Sequence, residues 1–339
     1  MLRIQTPTRP RTIDELLSSE LIAKVSHLDF TSRKIFAGKL KGERRSKKRG
    51  ESVEFADHRP YVSGDDLRHI DWNIFGRLDR LFLKLFLEEE DLALHIVIDC
   101  SASADCGKPS KFLYMQQLAM ALGYIGLVNL NRVTVSAVGG AMRSGSAAPG
   151  PTGNGNGEGG TAPETDAPFT AGVVHALRDL RGRRRTQDLA RFLCALEPVG
   201  PAPFTEAAKR IALTRRGKGV MVILSDFFIK EGYEAALRLL VGRGYDLFCI
   251  QCLSPQEVDP TGPDGLAGDL RLKDVEDGDL AEVTISAPLL KRYKANLAAY
   301  CDQLRDFCAR REMTLLTVRT DTPLDSLILD YLRKRGLLK

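Results

Sequence analysis

Strands that are apolar at nearly every position can be buried only in a sheet covered on both faces, and this chain carries several. LALHIVID (92–99), GVMVILSD (219–226) and YDLFCIQCL (245–253) are almost unbroken runs of that kind. Between them the apolar residues recur three and four apart, the spacing of helices. KFLYMQQLAMALGYIGLV (111–128) is opened by Ser110 as an N-cap, and further helices are predicted over 186–196, 205–213, 233–243 and 288–311. RVTVSAVG (132–139) and MTLLTVR (313–319) add strands, with short ones near LRLKDVE (270–276) and AEVTIS (281–286). This alternation predicts an α/β fold: a mostly parallel, Rossmann-like sheet with helices on both faces. Ligands of such sheets bind beyond the carboxyl ends of the strands.

The first 90 residues read differently. A helical pattern over 13–40 is followed by a basic, polar segment and then by EFADHRPYVSGDDLRHIDWNIFGR (54–77), where charges crowd around Tyr61 and the single tryptophan, Trp72. Partly buried, paired ions are expected there. The predicted organisation is an N-terminal helical and charged region, 1–90, packed on an α/β domain, 91–339. Within that domain, 139–168 is nearly free of large apolar residues and predicts a flexible surface insertion. Its GNGEGG (155–160) matches G-x-G-x-x-G only formally, because no strand precedes it and no helix opens on it.

A net charge of +5 over 339 residues does not demand nucleic acid as a partner. RRSKKR (44–49) and RGRRR (181–185) could touch phosphate, but neither has interleaved aromatics, so both are read as solvated loops. An anion or nucleic-acid module built on them is the alternative reading. Seven cysteines, an odd number, in so long a chain suggest reduced thiols and a cytoplasmic protein. Cys249 and Cys252, three apart on a strand, point to opposite faces and do not make a metal knuckle. The longest uncharged apolar stretch, 118–128, is about half of what spans a bilayer, so no membrane insertion is expected.

Two apolar strands end in carboxylates, Asp99 and Asp226. If the strands are parallel neighbours, both carboxylates emerge at one edge. Asp99 is followed by Ser101 and Ser103, which gathers hard oxygen donors of the kind that suit Mg²⁺ or Mn²⁺. Asp226 would act in an outer shell through water, and Thr205, opening the helix TEAAKRIAL, could add a third hydroxyl. The bland alternative is a strand-to-helix turn whose serines cap the chain. Hydrolase chemistry is less favoured. Ser101 stands where a haloacid-dehalogenase-type phosphatase has its second aspartate, and no histidine forms a motif with either serine. His95 is read as a hydrogen-bonded core residue. No G-x-x-x-x-G-K-[ST] is present for ATP.

DCSAS resembles the metal-ion-dependent adhesion site of von Willebrand factor A domains, and ILSD the later strand that carries the second aspartate of that site. Upstream, Arg59, Tyr61, Gly64, Asp65, Asp66, Arg68, Asp71 and Trp72 resemble the signature of domain-of-unknown-function family fifty-eight (DUF58). The resemblance runs from about residue 44 to the end. It implies a von Willebrand factor A-like fold and a non-enzymatic, metal-dependent interaction protein, with Mg²⁺ on Asp99, Ser101 and Ser103 supported by Thr205 and Asp226. It also implies a MoxR-type AAA+ ATPase as partner, which would supply any ATP hydrolysis, and a client contributing an acidic ligand. The charged signature is expected to lock the N-terminal region onto the α/β domain through ion pairs. This chain departs from the family at Ala104, where methionine is common, and in carrying no apolar stretch of membrane-spanning length.

Overall fold

The computed structural model of the protein describes residues 9–31, 55–63, 65, 67, 70–86, 92–143, 169–171, 173–214, 219–261, 268–276 and 278–339. The chain divides into two compact units, Met1–Lys39 with Leu92–Lys339, and Leu40–Asp91. In chain order the strands are β1 (Phe55–Pro60), β2 (Phe82–Phe86), β3 (Ala93–Asp99), β4 (Arg132–Val138), β5 (Ala141–Arg143), β6 (Phe169–Ala171) and β7 (Val174–Leu180). They continue with β8 (Leu196–Glu197), β9 (Gly219–Ser225), β10 (Tyr245–Leu253), β11 (Gly268–Lys273), β12 (Leu280–Ile285) and β13 (Thr314–Arg319).

The larger unit is built on a six-stranded sheet ordered β13-β10-β9-β3-β4-β7. Every pairing is parallel except that of β7 with β4. Successive residues of the central strands alternate between two hydrophobic clusters, one on each face. Leu94, Ile96, Ile98, Val222, Leu224, Phe248 and Ile250 face one cluster, whereas Val97, Met221, Ile223, Leu247 and Cys249 face the other. Burial on both sides is why these strands could be uniformly apolar. Helices Lys111–Val128 and Thr186–Ala195 contribute to the first cluster, and Phe204–Leu213, Glu234–Gly242 and Ala287–Ala309 to the second. The mostly parallel sheet with helices on both faces is therefore as the alternation predicts. Cys252 and Cys249 fall on opposite faces, and all seven cysteines are unpaired.

Helix Lys111–Val128 is apolar around nearly its whole circumference because it is covered on the side away from the sheet as well. Leu16, Leu17, Leu21, Val25, Leu28 and Phe30 from the start of the chain, and Leu327, Ile328, Leu332, Leu337 and Leu338 from its end, share its cluster. Thr31 N donates to Leu337 O at 2.9 Å and Lys339 N to Asp29 O at 2.9 Å, which ties the two ends together. The helical pattern over 13–40 resolves, within the described residues, into Ile13–Leu16 and Ser19–Val25, separated where Ser18 caps the second helix. These segments sit in the core of the larger unit.

Two local features differ from the expectation. Gly139 to Arg143, which composition places in a flexible insertion, form a glycine turn and strand β5, paired to β6 and β8. Gly139 and Gly140 have φ of +71° and +72°, and a Cβ on Gly140 would stand 2.6 Å from Glu197 O. Only glycine fits that close approach. The rest of the segment, 144–168, including the formal G-x-G-x-x-G, lies outside the described residues. The second feature is the antiparallel edge strand β7, VHALRDL, whose exposed Arg178 and Asp179 gave no apolar signal.

In the smaller unit, β1 pairs antiparallel with β2 and the helix Trp72–Leu78 is capped by Asp71, whose Oδ1 accepts from Asn73 N at 2.9 Å and Ile74 N at 3.2 Å. His58 Nε2 stands 2.9 Å from Asp71 Oδ2, and Arg59 donates to Asp65 at 2.6 Å. These contacts are made within the segment, and the cap explains a carboxylate at position 71 by itself. Trp72, next in the chain to Asp71, is 63% exposed. Gly64, Asp66 and Arg68 lie outside the described residues.

His95 is a buried core residue of β3, as read from the sequence, with Nε2 2.8 Å from Ser136 Oγ and its ring edge-on to Tyr245. Burial, and secondarily the charge of Arg178, hold its pKa down at about 4. The unfolded chain takes up this proton near 6.5, so folding favours the neutral ring. Its contribution is intact above pH 6.5 and is lost as pH falls from 6.5 towards 4, by roughly 3 kcal/mol in total. Urea melts at pH 7 and pH 4.5 on wild type and His95→Gln test this. A loss of equal size in both proteins would assign the acid sensitivity to other groups.

Candidate functional site

β3 and β9 are parallel neighbours, with Ile98 opposite Leu224, so their carboxyl ends finish at one edge of the sheet. Asp99 ends β3 and Asp226 follows β9 by one residue. The condition set by the sequence is met, and both aspartates are buried at this edge.

The loop after β3 folds back over Asp99. Asp99 Oδ1 accepts from Ser101 N at 2.9 Å, which fixes an extended Ser101 before the single 3₁₀ turn Ala102–Ala104. Asp99 Oδ2 accepts from Ser225 Oγ at 2.6 Å. Ser101 Oγ and Ser103 Oγ lie 3.0 Å apart, and Ser103 Oγ in turn donates to Glu276 Oε1 at 2.8 Å. Burial first, and then the charge of Asp226, push the Asp99 carboxyl above its ordinary pKa against the opposing hydrogen bonds from Ser225 and Ser101. A cation placed here would relieve that cost.

Asp226 is held differently. Its Oδ1 accepts from Phe228 N at 2.9 Å and its Oδ2 from Lys111 Nζ at 2.6 Å. Lys111 is 1% exposed and also reaches Glu257 Oε1 at 2.6 Å. Burial by itself would lower the lysine pKa, but the charges of Asp226 and Glu257 outweigh it and hold the ammonium well above its ordinary value. Phe227, between these groups, has φ of +62°. Such a conformation in a bulky residue persists only where its surroundings over-determine it. Phe227 N donates to Ser225 Oγ at 2.8 Å, its carbonyl accepts from Tyr300 Oη, and its ring is fully buried.

Of the five residues singled out from the sequence, Asp99, Ser101 and Ser103 converge, and Asp226 stands at the same edge engaged by Lys111. Thr205 is half-buried at the second position of helix Phe204–Leu213 and makes no side-chain hydrogen bond among the described residues. The segment that leads into its helix meets the Asp99 loop, where Ala102 N donates to Gly200 O at 2.8 Å, and Phe204 packs edge-on to Phe227 beside Asp226.

Sequence reasoning missed Ser225, Lys111, Glu257 and Glu276, as well as Arg9, which grips Asp105 at 2.8 and 2.9 Å and Glu197 at 2.9 Å beside the loop. Lys111 did carry a signal. It is the first residue of its helix, where the positive end of the backbone dipole disfavours a cation, so a lysine there calls for carboxylates. Ser254 and Glu257 form a capping box legible as S-x-x-E, but nothing in that spacing indicates Lys111. The second basic cluster is a turn in which Arg185 pairs with Asp188 at 3.1 Å and Arg183 lies over the Tyr124 ring. The first, 44–49, lies outside the described residues.

Among the described residues no three His, Cys, Asp or Glu side chains converge as a ligand set. Any ion would have to be held through hydroxyls, at most two carboxylates and water. That donor set is the hard-oxygen kind, and the serine oxygens at 3.0 Å match the edge of an octahedron with bonds of about 2.1 Å. The residues present therefore fit a Mg²⁺-type ion.

The fold and this edge define a class: open-sheet α/β proteins that gather oxygen donors where two parallel strands end. The family is shown directly. Residues 57–155 and 169–316 match the family model "Protein of unknown function DUF58", and the chain belongs to that family. It is similar to "Uncharacterized protein Rv1480" of Mycobacterium tuberculosis (strain ATCC 25618 / H37Rv), 26% identical over 325 residues that cover 94% of this chain and 92% of the relative. "Uncharacterized protein Mb1516" of Mycobacterium bovis matches to the same extent, 26% over 325 residues. "Uncharacterized protein MAV169" of Mycobacterium avium is 29% identical over 162 residues, 46% of this chain and 93% of the relative. No helix among the described residues is long and apolar enough to cross a membrane.

Proposed function

We propose that this protein is a non-enzymatic, metal-dependent interaction protein of von Willebrand factor A-like architecture that holds Mg²⁺ or Mn²⁺ on Asp99, Ser101 and Ser103. The observation that carries the reading is the pair of serine hydroxyls 3.0 Å apart beside a buried aspartate whose charge is destabilised by its surroundings. A bound divalent ion would supply an open coordination position that an acidic side chain of a partner completes. Asp99 orients the loop through Ser101 N, and Ser225 orients Asp99. Asp226 would act through water, because Lys111 engages its Oδ2 and Phe228 N its Oδ1. Thr205 would support the ion from the start of helix Phe204–Leu213, whose preceding segment binds the site loop through Ala102 N and Gly200 O. By the family resemblance, the partners are a MoxR-type AAA+ ATPase and a client protein that it remodels.

Calorimetric titration with Mg²⁺ and Mn²⁺ tests the reading. The double variant Ser101→Ala/Ser103→Ala should bind at least about ten-fold more weakly, a difference of roughly 1.4 kcal/mol, with a melting temperature in EDTA close to that of wild type. Undiminished binding by the double variant would sink the assignment. Capture of a purified MoxR-type ATPase should then require Mg²⁺ and be lost in EDTA.

A further inference from the structure

β11 and β12 form an antiparallel hairpin that stands apart from the central sheet. Their residues are exposed or half-buried throughout. Leu272, Val275 and Leu280 are 38%, 50% and 56% exposed, so the hairpin is not anchored by a core of its own. Polar contacts at its tip bring it to the site. Glu276 receives the Ser103 hydroxyl at 2.8 Å across 173 residues of chain, and Lys230, in the loop that follows Asp226, donates to Asp274 at 2.8 Å.

The turn is built to present that glutamate. Asp274 Oδ1 accepts from Glu276 N at 2.8 Å, Asp274 O accepts from Gly278 N at 3.1 Å, and Asp274 N donates to Asp279 O at 2.8 Å. Gly278, at φ +81°, takes a conformation that glycine adopts without strain. The carboxylate is thus pre-positioned on a serine already assigned to the ion.

We propose that the β11–β12 turn is an internal occupant of the site, with Glu276 filling the position that a partner's acidic side chain takes when it binds. This rests on the reading of Asp99, Ser101 and Ser103 as an ion site and names what that site accepts: an aspartate- or glutamate-bearing turn of another protein, of which 274–279 is the internal copy. Binding in trans then requires displacement of the hairpin. Its few buried apolar contacts keep that opening inexpensive. A tethered ligand acts at an effective concentration on the order of millimolar, enough to suppress weak acidic partners and admit only those that outcompete it.

The test uses the full chain, wild type and Glu276→Ala, with Mn²⁺ and a cyclised synthetic peptide carrying residues 272–281 as probes. Mn²⁺ uptake is followed by electron paramagnetic resonance, and peptide binding by fluorescence anisotropy in Mg²⁺ and in EDTA. The expected result is Mn²⁺ uptake by both proteins, with the peptide bound at least ten-fold more tightly by Glu276→Ala than by wild type, and only in Mg²⁺. The β12 amides should also exchange hydrogen faster in the variant. Mn²⁺ uptake with equal peptide affinity, including no binding by either protein, overturns this inference and leaves the ion site standing. Failure of both proteins to take up Mn²⁺ overturns the ion site, and this inference with it.

Discussion

Lys111→Met is expected to destabilise the protein by about 3–5 kcal/mol, the largest effect of any single substitution at the site. The ammonium is almost completely buried and lies 2.6 Å from both Asp226 and Glu257. Methionine fills a similar volume, so little of the loss comes from packing. What remains is two carboxylates facing a space that no longer holds their cation, and an uncompensated buried charge is the costly half of a broken ion pair. In a protein of this size the melting temperature should fall by on the order of 10 °C. Adding Asp226→Asn to Lys111→Met removes one of the stranded charges and should recover part of the loss. A fall below about 1 kcal/mol, or no recovery in the double variant, would show that the network is hydrated and only weakly coupled. The fraction that stays folded should also bind Mn²⁺ more tightly than wild type, because the edge loses its fixed positive charge. General unfolding would change the affinity in the opposite direction.

Asp99→Asn should separate function from stability. In wild type the carboxylate is buried beside Asp226, and its charge is tolerated only through the bonds from Ser101 N and Ser225 Oγ. Asparagine keeps an acceptor for Ser101 N and presents its amide to Ser225 Oγ, which can accept. The charge, and with it the attraction for a cation, is gone. In EDTA the variant should therefore be at least as stable as wild type. With Mg²⁺ at about 1,000 times the dissociation constant, wild type should gain about 4 kcal/mol and the variant nothing. Thermal melts of both proteins across a Mg²⁺ series decide it. A variant that melts lower in EDTA and still responds to Mg²⁺ would make Asp99 a structural residue and move the ion elsewhere.

The parts of this protein legible in its sequence are those written in neighbouring residues. Uniform apolar strands and helical spacing disclosed the sheet, its two covered faces and most of the helices, since burial on one or both faces leaves a period that a short window detects. Asp99, Ser101 and Ser103 were legible for the same reason: five consecutive positions at a strand end already place their oxygens around one loop. The strand β7 was missed because an edge strand needs no apolar run, and its Arg178 and Asp179 are exposed.

What only the tertiary structure decided is which distant segments meet. That β3 and β9 are neighbours, and so bring Asp99 and Asp226 to one edge, follows from how whole strands pack, not from either strand alone. Lys111 meets Asp226 across 115 residues, and Ser103 meets Glu276 across 173. Such contacts leave no local signature because a buried charge needs only a partner of opposite sign at hydrogen-bond distance, and packing brings that partner there from anywhere in the chain.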